Sequence, residues 1–118
     1  GLSNVVIDSS LSNTHNVTNL PPILITADTV LNSTYNNRLL AVDATAGNVT
    51  LSWDCLTMAG CIVNIIRIDG TGSLINITDI NAGSNTYRGA ALPQDLGMAQ
   101  YDPKILTSYS TTIYRLSN

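Results

Sequence analysis

The sequence predicts an all-β domain, an antiparallel β-sandwich or jelly-roll knob with at most one short helix, and three observations carry that prediction. From Ile23 onward, short runs rich in Val, Ile, Leu and Thr are separated by turn-forming clusters at intervals of roughly eight to twelve residues. Glu is absent and Lys104 is the only lysine, so the Glu–Lys pairing that supports exposed helices cannot be built. The chain has 118 residues, enough for one hydrophobic core and too few for two.

The elements follow in order. Leu2, Val5, Val6, Ile7 and Leu11 give way to Ser, Asn and Thr with no sustained heptad repeat, and Pro21-Pro22 then forces extended backbone. Residues 1–22 therefore read as a stalk-like lead-in and residues 23–118 as the knob. Ile23-Leu24-Ile25 reads as a short strand, and Tyr35-Asn36-Asn37 as a turn into a strand from Arg38 to Asp43. Ala46-Gly47 turns the chain into a strand from Asn48 to Trp53, where Val49, Leu51 and Trp53 share one face and Asn48, Thr50 and Ser52 the other.

The run Ile62 to Ile68 is apolar on both faces, which predicts a central strand covered from two sides. Asp69-Gly70-Thr71-Gly72-Ser73 offers two glycines for positive φ and predicts a hairpin into a strand from Leu74 to Thr78. Ala90 to Gln100, with its Ala, Leu and Met, is the one place for a helical turn, and Thr111 to Leu116 forms the last strand.

Charge patterning bounds the partners. Charged residues make up 11% of the chain, less than half the roughly 25% of an average soluble protein, and Ser, Thr and Asn supply the polarity instead. Neutral hydroxyls and amides are easier to bury at a subunit contact than Lys or Glu, so such a surface permits self-association. Strand edges also lack the usual protection by Lys or inward charge, which predicts that another chain covers them. The net charge is −3 and the four arginines, Arg38, Arg67, Arg88 and Arg115, are scattered singly. That distribution argues against nucleic acid and against anionic lipid. No run reaches the length of a membrane span, and the first residues lack the basic start and apolar core of a signal peptide, so the chain reads as soluble.

The catalytic inventory is thin, and no enzyme activity is expected. His15, the only histidine, sits among Asn13, Thr14 and Asn16 in the lead-in, and any Ser-His-Asp or Cys-His arrangement would have to use it. Cys55 and Cys61 are compatible with a local disulfide or with two small buried thiols. Too few nitrogen and sulfur ligands exist for zinc, and no stretch alternates carboxylates as a calcium loop does, so no metal and no cofactor is expected. Asp69-Gly70-Thr71-Gly72 lacks the Lys of a phosphate-binding loop and reads as turn chemistry. The Asn-x-Ser/Thr triplets at Asn16, Asn32, Asn48 and Asn76 follow from a composition rich in those residues. Tyr101, Tyr109 and Tyr114 gather near the C-terminus and suit a subunit contact better than a carbohydrate-stacking surface. Trp53, Tyr109 and Tyr114 are the candidate interface anchors; the ligand-binding residues stay unassigned.

Three segments together resemble a known family. Ile25-Thr26-Ala27-Asp28-Thr29-Val30-Leu31, then Arg38 through Leu51 with its Ala44-Thr45-Ala46-Gly47-Asn48-Val49-Thr50-Leu51 stretch, then Ile65-Ile66-Arg67-Ile68-Asp69-Gly70-Thr71-Gly72, resemble in order a segment recurrent in tailed-bacteriophage tail-fibre, spike and tail-needle knob domains. The resemblance spans residues 23 to 78 and implies a homotrimeric β-sandwich knob, similar to tumour-necrosis-factor-like and spike-head domains, at the tip of a fibre or needle. It implies a virion location, on the phage tail and outside the cell, and a host cell-surface glycan, protein or membrane as partner. The chain ends Thr112-Ile113-Tyr114-Arg115-Leu116 where the family often has a Gly-x-x-Trp-Tyr strand, so no binding residue carries over. Two other readings are a capsid decoration or head-fibre protein, and a glycan-active fibre-tip enzyme, which would need two carboxylates converging in a groove.

Overall fold

The computed structural model describes residues 20–54, 61–81 and 85–117, with side chains as far as Arg115. From Ile23 the chain switches sheets at nearly every corner. β1 (Ile23–Ile25), β3 (Leu39–Val42) and β5 (Ile62–Arg67) lie in one sheet, while β2 (Thr29–Leu31), β4 (Val49–Trp53) and β6 (Ile75–Asp79) lie in another. Within each sheet successive members pair parallel: Ile23 with Leu40 and Leu40 with Ile65 in the first, Leu31 with Trp53 and Val49 with Ile75 in the second. The result is a short flattened coil, β-solenoid-like, whose turns stack strand on strand.

One end of that stack is finished differently. β9 (Gln94–Asp95) adds antiparallel to β6, and β10 (Pro103–Tyr109) adds antiparallel to β5. β11 (Thr112–Ser117), β7 (Thr86–Tyr87) and β8 (Ala90–Ala91) then extend the first sheet to seven strands, in the order β1-β3-β5-β10-β11-β7-β8. The second sheet has four, in the order β2-β4-β6-β9.

The all-β expectation is met, in two sheets, but the antiparallel jelly roll is corrected: the repeating unit is a parallel coil. The Asp69–Ser73 segment is the clearest correction. It joins β5 to β6 across the two sheets rather than pairing them as a hairpin, and neither Gly70 nor Gly72 takes the positive φ a hairpin turn requires. Gly47 does, at φ 146, in the turn expected there. Ala90 to Gln100 forms β8, β9 and a loop instead of a helical turn. Pro93 supplies no N–H, and Gly97 takes φ 65, which breaks a helical path. The only helical turn among the described residues is a 3-10 turn, Ser33–Tyr35, capped by the Asn32 side chain.

Alternation builds the core. Leu31, Leu40, Leu51, Val63, Ile65, Ile77, Leu106 and Ile113 point between the sheets and are fully or almost fully buried. Each contributes about 1.5–3 kcal/mol by leaving water. Corners need a second device, because backbone N–H groups at and just beyond the strand ends can lack a ladder partner. Short acceptor side chains supply it from neighbouring turns of the coil: Asp28 accepts from the Thr50 N–H at 2.9 Å, Asn36 from Ile62 at 2.8 Å and Asn48 from Leu74 at 2.8 Å. The high Asn and Asp content thus has a structural use in register.

Candidate functional site

Period two also decides what each sheet turns outward. On the first sheet, the inward series is Leu40 and Val42 on β3, Val63, Ile65 and Arg67 on β5, and Lys104, Leu106 and Ser108 on β10. The outward series is therefore Leu24, Leu39, Ala41, Ile62, Asn64, Ile66, Pro103, Ile105, Thr107 and Tyr109, joined on β11 by Thr112 and Tyr114, which pair with Tyr109 and Thr107. None of these side chains is charged. Leu24 at 61% exposure, Tyr109 at 75% and Tyr114 at 43% show that one copy leaves this face open. β5 sits in its middle, paired on both edges but packed on one face alone, so Ile62 and Ile66 are only half buried.

On the second sheet the outward residues are Val30 on β2, Thr50 and Ser52 on β4, Asn76 and Thr78 on β6, and Asp95 on β9. Hydroxyls and amides dominate this face, which is suited to water.

A buried ion pair locks the corner after β5. Arg67 donates from Nε to Asp69 Oδ1 at 3.1 Å and from Nη2 to Oδ2 at 3.0 Å, the bidentate geometry that gives Arg–carboxylate pairs their strength. The same guanidinium reaches the carbonyls of Met98 at 2.8 Å and Ser73 at 2.6 Å, while Asp69 also accepts from the Ala44 N–H of the preceding turn at 2.8 Å. Arg67 beside it, helped by the Thr71 and Ala44 donors, holds the Asp69 carboxyl well below the usual carboxylate range although burial pushes it up. These bonds tie the corner to the preceding turn and to the loop before β10, so the pair serves to hold the fold.

A shallow crease runs between two stacked corners, lined by Thr26, Ala27, Asp28, Ala46, Gly47 and Asn48. Its one carboxylate, Asp28, already accepts the Thr50 N–H.

The three anchors expected from the sequence separate. Tyr109 and Tyr114 stand together on the open outer face of the first sheet. Trp53 does not: it is 0% exposed in the core of a single copy, between Leu31 and Asp79 in register, so no part of it is left for a subunit contact. Its indole N–H has no acceptor among the described residues. Cys61 is a buried free thiol, whereas Cys55, His15 and Asn16 lie outside the described residues. Comparison with family models, curated proteins and solved structures finds no match to this chain.

Proposed function

We propose that the chain acts by assembly and binding rather than by catalysis, as a structural virion protein. Copies join through the outer face of the seven-stranded sheet to form the knob at the tip of a phage tail needle or fibre, which meets the host cell surface during attachment or penetration. The observation that carries this reading is that uncharged outer face, with Ile62, Ile66 and Ile105 at its centre and Tyr109 and Tyr114 at one side. An apolar face without charge is compatible with itself, because bringing two copies together sets no like charges against each other. Tyr is among the side chains that most often dominate such contacts.

Three copies around one axis is the number we propose, on the resemblance to trimeric phage knobs. Light scattering on the eluting peak of a size-exclusion column tests it. A mass near three times 12.5 kDa is expected, and a 12.5 kDa species at micromolar concentration removes the reading.

A further inference from the structure

The chain has only five basic residues, and they are scattered in sequence, yet the fold gathers three of them. Sheet order shows where. β11, β7 and β8 lie beyond β10 at one end of the first sheet, where the inward Ile113 and Tyr87 are buried, Arg115 is half buried and Arg88 is exposed. Arg115 pairs with Leu106 and so points to the inner side, the side of Lys104 two residues along β10. Ile113 pairs with Tyr87, and the Arg88 N–H bonds the Ile113 carbonyl at 2.9 Å, which sets Arg88 beside them.

Two backbone irregularities converge on the same place. The β10–β11 register shifts between Ile105 and Leu106, next to the Arg115 pairing, and bulges of this kind re-aim side chains. Arg88 takes φ 52 in the tight turn from β7 to β8, a position that favours Asn or Gly, followed by Gly89 at φ 86. A bulky residue kept where it strains the backbone points to a use for its side chain.

We propose that this end of the sheet, around Arg88, Lys104 and Arg115, is a binding site for an oxyanion group: phosphate, sulfate or carboxylate. Guanidinium forks match such groups geometrically, and a buried ammonium adds a point charge behind them. The cations act on one another and on the phenol between them. Burial, then Arg115, pushes the Lys104 ammonium below its ordinary range, with Asp102 opposing and Arg88 adding to the push. Burial raises the Tyr87 hydroxyl, against the pull of Arg115 and Arg88, whose side chain also hydrogen-bonds it. An arriving anion relieves that mutual repulsion. The site belongs to one chain and lies on the side of β10 and β11 opposite Tyr109 and Tyr114, so it stands whether or not copies assemble.

The full chain is titrated at low salt with inorganic phosphate, glucuronate, glucose 6-phosphate and neutral glucose, followed by calorimetry. The three anions bind and glucose does not, with affinity falling as salt rises. Arg115→Gln weakens binding roughly tenfold. Arg88→Asn weakens it as well while raising the melting midpoint, because Asn accepts the positive φ that Arg resists; a purely structural Arg88 would leave binding unchanged. Tighter binding of the sugar anions than of phosphate assigns an acidic saccharide, and equal binding assigns the free ion. Absence of saturable binding up to about ten millimolar, or parental affinity in both variants, overturns the proposal.

Discussion

The two sheets share one interior and present opposite chemistry outside. Where the four-stranded sheet turns Thr50, Ser52, Asn76 and Thr78 to solvent, the seven-stranded sheet turns out Leu39, Ile62, Ile66, Ile105, Tyr109 and Tyr114. Both faces arise from the same alternation, so the strand pattern does not explain the difference. A sheet that ends in water needs polar outward residues, and the second sheet has them; the first is built as though its outer face were also an interior. This difference is what the proposed assembly of copies through the first sheet accounts for.

The contrast can be broken at the corner both sheets share. Asp69→Ala leaves the Arg67 guanidinium buried without its carboxylate and is expected to cost about 3–5 kcal/mol of unfolding free energy, read by urea denaturation. The same pair sets an acid limit. Because the folded-state carboxyl is depressed, its contribution is complete above about pH 5 and is lost as pH falls through and below the ordinary carboxylate range. Asp69→Asn is less stable at neutral pH and lacks that portion of the acid loss, which a pH series of melting curves measures.

Trp53→Ala separates the interior from the outer face. It is expected to cost about 3–5 kcal/mol of stability within each copy, by emptying a fully buried site, with no direct effect on the contact between copies. On the open face the effect is smaller and of a different kind. Tyr114→Ala is expected to weaken association by about 2 kcal/mol, a roughly thirtyfold change in dissociation constant, while the melting of the isolated chain stays close to parental. Analytical ultracentrifugation across a concentration series distinguishes the two. Thr78→Lys on the second sheet is the control: it is expected to shift stability by no more than about 0.5 kcal/mol and to leave assembly unchanged.

Much of the contrast was legible in the sequence. Val49 to Trp53 alternates apolar and polar residues and becomes a half-buried strand. Ile62 to Ile68, expected as a central strand covered from two sides, supplies a strand that is central in its sheet but covered on one face alone in a single copy. Partner choice was not legible. Alternation reports which way a side chain points and says nothing about whether the neighbouring strand runs parallel or antiparallel, so a parallel coil and a jelly roll share one pattern, as do the Asp69 corner and a hairpin. Asn36 and Asn48 looked like ordinary turn residues because an acceptor that bridges two turns of a coil has the same local signature. Trp53 illustrates the same limit, since a large aromatic residue suits a core as well as an interface. The gathering of Arg88, Lys104 and Arg115 depends on β11 lying between β10 and β7, an order that no local pattern encodes.

The most direct test of the central claim compares the solution mass of the parent chain with that of Ile105→Lys, by light scattering at the same micromolar concentration. Ile105 lies on the outer face beside Asn64, where a lysine is harmless to a single copy and intolerable between two. The expected mass is near three times 12.5 kDa for the parent and 12.5 kDa for the variant. Equal masses for the two, or a parent that is already a monomer, would contradict it.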